Sequence, residues 1–263
     1  MRDTSLVSYQ HLLVTRDDTI TTITLNRPEK RNALAFDVMT ELLQAFRDVG
    51  ASDALGVVLA ANGPVFSAGH NFGDMAGTDL ASARRLLELC TEMMDTIQEI
   101  PQPVIAKVHA LATAAGCQLV ASCDLAVASS AARFATPGVD IGLFCTTPAV
   151  ALQRTVAPKH AMELLLTGEP ISAHDAWRIG LVNRVVEPEA LASEVGALAE
   201  LIAAKPAATV ESGKASVRRL GSLALRDAYR EASAAMASGL VAPEAVEGIG
   251  AFLEKRSPRW PER

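Results

Sequence analysis

The chain has 263 residues, of which 49% are hydrophobic and 21% are charged, and these values exclude an intrinsically disordered protein. The formal net charge is -6 with scattered basic residues, which argues against nucleic-acid binding. The four cysteines show no CxxC spacing, so we predict reduced thiols, no disulfide framework and no metal site.

Neither the first residues nor the most apolar stretch has the pattern of a targeting or membrane segment. Residues 1–5 show no basic segment followed by an apolar one, so no signal peptide is predicted. Residues 104–132 are apolar but are interrupted by Lys107, His109 and Asp124, so no membrane span is predicted. Together with reduced thiols, these observations favour a cytoplasmic protein.

Strands and helices alternate through the first half of the chain. Residues 11–15 and 20–25 predict two strands around a turn at Asp17 and Asp18. Further along, the apolar spacing predicts strands over residues 56–60, 104–108 and 125–128, and helices over residues 36–46, 80–100 and 114–122. This alternation predicts an α/β protein with a parallel sheet.

Helical spacing dominates after about residue 148. The predicted helices cover residues 161–166, 173–179, 188–204, 207–220, 223–238 and 245–255. No low-complexity linker separates them from the first half. We therefore predict a helical C-terminal part that packs on an α/β core.

Two segments place small residues between a predicted strand and a predicted helix. They are residues 66–72, with the sequence FSAGHNF, and residues 112–119, with the sequence ATAAGCQL. Backbone N–H groups are unpaired at such positions, and two neighbouring loops could direct two donors at one oxygen, forming an oxyanion hole. Spacing alone favours the simpler interpretation that the small residues allow close packing.

Characteristic residues recur in order along nearly the whole chain. They are LNRP at 25–28, NAL at 32–34, FSAG at 66–69, PVIA at 103–106, AGC at 115–117, CDLA at 123–126, FATP at 134–137, IGL at 141–143, LTGEPISA at 166–173, GLV at 180–182 and FLEKR at 252–256. Together they resemble the enoyl-CoA hydratase (crotonase) family, and most of all its hydratase-domain-containing homologues.

The resemblance implies an α/β fold of the ClpP/crotonase type, a superhelix of ββα turns. It implies a core over residues 1–200, a helical trimerisation region over residues 201–263, and a homotrimer or a dimer of trimers. It also implies a coenzyme A thioester as substrate, without another cofactor, and a place in fatty acid metabolism. The backbone N–H groups of His70 and Ala115 would polarise the thioester carbonyl, and the family usually has glycine where Ala115 stands.

Two positions depart from the hydratase pattern. Gln118 and Gly138 stand where hydratases place their two catalytic glutamates. Neither residue can exchange protons usefully at neutral pH, so efficient hydration of an enoyl thioester is doubtful. Restoring both glutamates should raise hydration unless Gly138 has a positive φ. The alternatives are a catalytically silent acyl-CoA-binding protein, or a different reaction such as isomerisation, decarboxylation or thioester cleavage.

Other residues could replace the missing carboxylates, although each has a simpler structural interpretation. Asp140 would face the same way as position 138 if the chain were extended there. The His70 side chain could act as a base, and Cys145, next to Thr146, could act as a nucleophile. Asp124 is more simply explained as a structural residue that bonds a turn.

The coenzyme A moiety needs basic partners for its phosphates. The resemblance assigns this role to Arg27, Lys30 and Arg31, and to Lys255 in the last helix, although solvated surface charge would explain the same pattern. Residues that would line the ligand are Ala68, His70, Asn71, Phe72 and Phe252. Nucleic acid and membrane are not expected partners.

Overall fold

The chain forms two β-sheets surrounded by helices over residues 9–261, the part that the computed structural model describes. The strands are β1 (Leu12–Asp17), β2 (Ile20–Leu25), β3 (Gly56–Ala61), β4 (Val104–Val108), β5 (Ala112–Thr113), β6 (Leu125–Ser129), β7 (Arg133–Ala135), β8 (Ile171–Ser172) and β9 (Arg184–Val186). The helices are α1 (Phe36–Gly50), α2 (Phe72–Met75), α3 (Leu80–Glu99), α4 (Ala115–Ser122), α5 (Thr146–Thr155), α6 (Pro158–Thr167), α7 (Ala173–Arg178), α8 (Leu191–Ala203), α9 (Ala207–Leu220), α10 (Leu225–Leu240) and α11 (Pro243–Leu253). Short 3-10 helices cover Pro28–Lys30, Pro137–Ile141 and Pro188–Ala190.

The larger sheet has the strand order β1-β2-β3-β4-β6-β9. β1 and β2 form the predicted antiparallel hairpin, and every later neighbour pair in this sheet is parallel. β2 alternates, with Thr21, Ile23 and Leu25 buried, whereas β3 is buried over five consecutive residues. Such a continuous apolar run is typical of a parallel strand covered on both faces.

The second sheet contains β5, β7 and β8. Twice along the chain, a strand of the larger sheet is followed by a strand of the second sheet and then by a helix, as β4–β5–α4 and as β6–β7–α5. These are repeated ββα units, as predicted. The repeat matters for function because it brings successive strand-to-helix connections to the same edge.

Helices cover both faces of the larger sheet. On one face α1, α3 and α4 complete the main core, which contains the fully buried Phe46, Phe66 and Phe134. On the other face α8 packs Leu191 and Val195 against the central strands. α8 ends at Ala203, so the predicted core boundary at residue 200 falls in the last turn of this helix.

The last three helices are mostly solvent-exposed. α9 has the predicted limits, and α10 and α11 are displaced from their predicted limits by about two residues. Among residues 9–261 no single helix is long and apolar enough to cross a membrane; α10 and α11, bent by 67°, meet that test only as a pair. Residues 1–8, where the signal-peptide prediction applies, and residues 262–263 lie outside the described part of the chain.

Candidate active site

The structure brings the two predicted loops together. Ser67 pairs with Ala112 in an isolated parallel bridge, and the Thr113 N–H donates to the Ser67 carbonyl at 3.0 Å. The Phe66 N–H donates to the Leu111 carbonyl at 2.9 Å. The strand-to-helix connection after β3 therefore lies directly against the connection between β5 and α4.

Two glycines permit this close approach. A Cβ atom on Gly69, whose φ is +81°, would lie 2.8 Å from the Ala114 Cβ and 3.1 Å from the Ala115 nitrogen. A Cβ atom on Gly116 would lie 2.6 Å from the Ser67 carbonyl oxygen. Any larger residue at either position would push the two backbones apart.

Two backbone N–H groups beside this junction have no acceptor among the described residues. The His70 and Ala115 N–H groups form no hydrogen bond within residues 9–261. Ala115 is the first residue of α4, where N–H groups are unpaired and the helix dipole is positive. Because His70 directly follows Gly69, the two donors belong to adjoining backbone segments, the arrangement that an oxyanion hole requires.

The alanine at position 115 does not disturb its own backbone. Ala115 has α-helical conformation, so its backbone tolerates the methyl group. The unusual residue is its neighbour Ala114, with φ 51° and ψ -120°. A non-glycine residue in such a region costs about 1–3 kcal/mol, so the strain is located immediately before the free N–H.

Asn32 and Ser67 hold the first loop, a role that the sequence analysis missed. The buried Asn32 side chain accepts from the Arg27 N–H at 2.9 Å and donates to the carbonyls of Asn62 and Val65 at 2.7 and 3.0 Å. The Ser67 hydroxyl donates to the Asn32 carbonyl at 2.9 Å. The available signal was an asparagine in a turn, since Asn32 has φ 48° and asparagine tolerates the left-handed region.

Gln118 lies next to the free N–H of Ala115 along α4. Its side chain is buried, and its Oε1 has no hydrogen-bond partner within residues 9–261. Residues three apart share one helix face, and helical side chains lean towards the N-terminus. Gln118 and Ala115 therefore lie on the same face of α4.

Gly138 has no room for a side chain. A Cβ atom there would lie 2.1 Å from the Leu143 carbonyl oxygen and 2.8 Å from the Cys145 Sγ. The loop is closed at this point by the Leu143 N–H, which donates to the Gly138 carbonyl at 2.9 Å. Gly138 does not have a positive φ, so the expected obstacle to a glutamate is wrong, and steric overlap with the Leu143 backbone is the real one.

Asp140 does not take the place of a glutamate at position 138. The chain is a 3-10 helix over Pro137–Ile141, not an extended strand, so residues two apart point in different directions. Asp140 is exposed, and its Oδ2 would be 3.1 Å from a Cβ atom on Gly168. The expectation that positions 138 and 140 share a face is wrong.

Burial disfavours the charged forms of two side chains beside the site, Cys145 and His70. Burial raises the pKa of the Cys145 thiol, although the Gly138 N–H bonded to its sulfur opposes this, and a protonated thiol is a poor nucleophile. Burial lowers the pKa of His70, whose Nδ1 lies 3.4 Å from the Leu34 carbonyl and whose Nε2 has no partner among the described residues. Neither side chain carries charge into the site at neutral pH.

Some of the predicted coenzyme A contacts lie beside this junction. The Ala68 N–H donates to the Arg31 carbonyl at 3.1 Å, which joins the basic loop to the first donor loop. Lys30 and Arg31 are exposed, and neither side chain forms an ion pair within residues 9–261. Arg27 is already paired, with its Nη1 3.3 Å from Asp37 Oδ2.

The remaining predicted contacts are divided between two parts of the molecule. Asn71 caps α2 by accepting from the Gly73 N–H at 3.2 Å, and Phe72 is exposed. Phe252 lies in the last turn of α11 and is 81% exposed, and Lys255 follows the helix with φ 55°. No hydrogen bond or ion pair links either of these two residues to the 28–31 loop within residues 9–261.

Comparison with known proteins agrees with this architecture. The family model described as enoyl-CoA hydratase/isomerase matches residues 15–263. Enoyl-CoA hydratase domain-containing protein 3, mitochondrial, from Homo sapiens is 44% identical over 247 residues, which cover 92% of this chain and 81% of that protein. The Rattus norvegicus protein of the same name is also 44% identical over 247 residues, which cover 93% of this chain and 82% of that one.

Solved structures give the same result. The crystal structure of an enoyl-CoA hydratase from Mycobacterium smegmatis has a TM-score of 0.93 and 49% identity, and the match covers 95% of this chain and 98% of that one. The crystal structure of human enoyl-CoA hydratase domain-containing protein 3 has a TM-score of 0.93 and 42% identity, and the match covers 95% of this chain and 100% of that one. The chain belongs to the enoyl-CoA hydratase/isomerase family, whose members bind CoA thioester substrates, and its predicted α/β fold is confirmed.

One prediction needs correction. The human and rat relatives are named mitochondrial proteins, which conflicts with the cytoplasmic localisation predicted from the sequence. That prediction is therefore wrong. It depended on reduced thiols and on the short stretch of residues 1–5, and neither excludes a mitochondrial protein.

Proposed function

We propose that this protein binds a coenzyme A thioester with the thioester carbonyl oxygen at the N–H groups of His70 and Ala115. The observation that carries this proposal is the pair of unpartnered donors on adjoining backbones, kept close by Gly69 and Gly116. Preorganised donors of this kind stabilise the charge that develops when a thioester is converted into an enolate. The proposed role is in acyl-CoA metabolism.

The phosphates of the ligand would be bound by Lys30 and Arg31, whose side chains have no ion-pair partner within residues 9–261. Arg27 would contribute only by exchanging its partner Asp37 for a phosphate. Ala68, Asn71 and Phe72 would line the entrance beside them. Phe252 and Lys255 would reach the ligand from α11 of a neighbouring chain.

Neither of the two positions that resemble the hydratase glutamate positions has a carboxylate in this protein. Gln118 and Gly138 occupy the positions of the hydratase glutamates in the family resemblance, Cys145 fills the space beside Gly138, and Asp140 is directed elsewhere. Loss of a general acid or base typically costs about 10²–10⁴-fold in rate. We therefore propose that hydration of an enoyl thioester is slow, and that stabilisation of a thioester enolate is the chemistry that remains.

The same lack of proton-transfer groups favours a second candidate, a binding protein without turnover. Slow consumption of crotonyl-CoA would support the enzyme, and tight binding without any product from a panel of acyl-CoAs would support the binding protein. Isomerisation, decarboxylation and thioester cleavage would each be recognised by its own product in that panel.

We further propose assembly into a trimer or a dimer of trimers. The support is the exposed apolar surface of the last helices, which includes Leu225, Tyr229, Met236, Val241, Val246 and Phe252. An exposed apolar surface of this extent is usually covered by another chain. Assembly would also provide the neighbouring α11 that the ligand contacts require.

Isothermal titration calorimetry with acetyl-CoA and with free CoA tests the binding proposal. We expect micromolar or tighter binding of acetyl-CoA and weaker binding of CoA, which has no thioester carbonyl oxygen for the two N–H donors. The double variant Lys30→Ala, Arg31→Ala should weaken both ligands, whereas the control Lys159→Ala on α6 should weaken neither. No heat and no thermal shift at millimolar acetyl-CoA would refute the proposal.

A further inference from the structure

One carboxylate at the start of α1 is shared by a histidine and an arginine. Asp37 Oδ2 lies 3.0 Å from His11 Nε2 and 3.3 Å from Arg27 Nη1. His11 directly precedes β1 and Arg27 comes two residues after β2, so the antiparallel hairpin brings the two side chains to the same end of the sheet. The Asn26 N–H donates to the His11 carbonyl at 2.9 Å and holds their backbones together.

Arg27 also belongs to the basic loop of the proposed ligand site. Its N–H donates to the Asn32 side chain at 2.9 Å, and the same loop contains Lys30 and Arg31. The Arg27 side chain is 26% exposed, and its Nη1 lies 3.3 and 3.4 Å from the two Asp37 oxygens. These distances exceed the range of a strong charge-assisted bond, about 2.7–2.9 Å. A partly exposed pair of this kind is weak, so a ligand phosphate can compete for Arg27.

The Asp37 carboxylate needs another cation when Arg27 leaves it. Burial alone would raise the pKa of Asp37, but the Val38 N–H and the positive charges of His11 and Arg27 outweigh burial and hold this pKa below its ordinary value. The His11 side chain, which is only 11% exposed, contacts the same carboxylate. Imidazole is the side-chain type whose charge changes between about pH 5 and 8. The other titratable groups around this cluster, whose side-chain types change charge outside that range, are Tyr9, Glu29, Glu41, Asp48 and Asp74.

We propose that binding of a coenzyme A thioester is coupled to protonation of His11, an inference that rests on the proposed function. A ligand phosphate takes Arg27 away from Asp37, and a proton from solvent on His11 restores the positive charge beside the carboxylate. Because the bound state then holds more protons than the free state, this coupling strengthens binding as the pH falls through the range in which imidazole titrates. The proton returns to solvent when the ligand leaves and Arg27 pairs with Asp37 again.

Calorimetric titration with acetyl-CoA in buffers of different ionisation enthalpy measures this proton uptake. Near neutral pH the unmodified protein should take up a larger fraction of a proton than His11→Gln, in which a neutral amide replaces the imidazole. From about pH 8 to about pH 6, the affinity of the unmodified protein should rise about threefold relative to that of His11→Gln. The phosphate monoester of the ligand, with a second pKa of about 6, titrates in both experiments and cancels in the comparison.

The matched control replaces a histidine that lies beside a carboxylate elsewhere in the fold. His160 Nδ1 is 3.9 Å from Glu163 Oε2 on α6. In His160→Gln, the proton uptake and the pH dependence of binding should be those of the unmodified protein.

The variant Asp37→Asn tests the exchange of Arg27 separately. The asparagine carries no charge, so Arg27 is available to the phosphate without a proton on His11. At about pH 8, acetyl-CoA should bind this variant about two- to fivefold more tightly than the unmodified protein, because a partly exposed ion pair no longer competes with the ligand. Its proton uptake should fall to that of His11→Gln.

Equal proton uptake by the unmodified protein and His11→Gln would overturn the inference while leaving the proposed function intact. Undiminished uptake in folded Asp37→Asn, or weaker binding by this variant, would also overturn it, so the test does not depend on the folding of one variant. If the folded unmodified protein binds no acetyl-CoA, both the proposed function and this inference fail.

Discussion

Ala114 and Ala115, neighbouring alanines at the start of α4, have opposite backbone requirements. Ala114 has φ 51° and ψ -120°, whereas Ala115 is α-helical. Ala114→Gly should raise the free energy of unfolding by about 1 kcal/mol, because relief of about 1–3 kcal/mol of strain exceeds the entropic cost of glycine, about 0.5–1 kcal/mol. Ala115→Gly should instead lower it by about 0.5–1 kcal/mol. Urea unfolding of the two variants measures both effects, and equal destabilisation by both would show that Ala114 is unstrained.

Gly138 gives a second residue-scale prediction. Gly138→Ala should destabilise the protein by about 1–3 kcal/mol, because even one methyl group overlaps the Leu143 carbonyl oxygen. The matched control is Gly213→Ala on α9, where no atom lies within 4 Å of the added methyl group. That substitution should stabilise by about 0.4–1 kcal/mol. If thermal unfolding showed that Gly138→Ala is as stable as the unmodified protein, the loop would be able to move aside and a glutamate there would be feasible.

For individual residues, the sequence predicted which two loops lie close together, but it did not predict the geometry of their contact. The small residues at 66–69 and 114–117 indicated two donor loops, and the resemblance indicated His70 and Ala115. The sequence does not reveal how close the two backbones come in the folded protein. That distance is the reason why Gly69 and Gly116 cannot be replaced by larger residues. The same limit explains Gly138 and Asp140, since local pattern does not distinguish a 3-10 helix from an extended segment.

At the scale of elements, α9 is anchored to the core by one buried lysine. Lys214 Nζ donates to the carbonyls of Ile97 and Gln102 at 2.9 and 2.8 Å, and lies 2.7 Å from Asp124 Oδ2. Asp124 also accepts from the Val104 N–H at 2.8 Å, so its interpretation as a structural residue agrees with the geometry. Since no other residue of α9 is buried, this polar anchor carries much of its attachment.

Lys214→Met should therefore destabilise the protein by about 3 kcal/mol and increase hydrogen exchange in α9 first. The physical reason is that removing one partner of a buried pair leaves the other charge uncompensated. Adding Asp124→Asn to Lys214→Met should recover part of the loss, because asparagine removes that charge and can still accept from the Val104 N–H. The exposed Lys205→Met is the control and should change little. If hydrogen exchange in α9 were no faster in Lys214→Met than in the Lys205→Met control, the anchoring role would be contradicted.

The element predictions succeeded where apolar spacing was long and regular. α1, α3 and α9 have strong helical periodicity, and their limits were predicted within a few residues. α5 and the strands β5, β7, β8 and β9 were missed. These strands have only two or three residues each, too few for a period to be visible, and α5 begins with Thr-Thr-Pro, which does not resemble a helical pattern.

At the scale of the whole molecule, the exposed helices give a prediction about assembly. Sedimentation at micromolar concentration should show a trimer or a dimer of trimers. A double variant with Tyr229→Glu and Val241→Glu should shift the protein towards monomers, because both side chains are exposed and apolar, with 69% and 78% of their surface accessible. The control Lys205→Glu should not. A monomeric unmodified protein would refute the proposed assembly.

The proposed function requires that the donor pair survives in this protein while the proton-transfer groups do not. Its most direct test is the steady-state hydration of crotonyl-CoA by the unmodified protein, at a thioester concentration that calorimetry shows to be saturating. A family member with both glutamates would be measured in parallel. We predict a rate at least about 10²-fold below that member, as loss of acid–base catalysis requires. Hydration at the rate of the comparison enzyme would contradict the account, since a group other than Gln118, Gly138 or Asp140 would then have to transfer the protons.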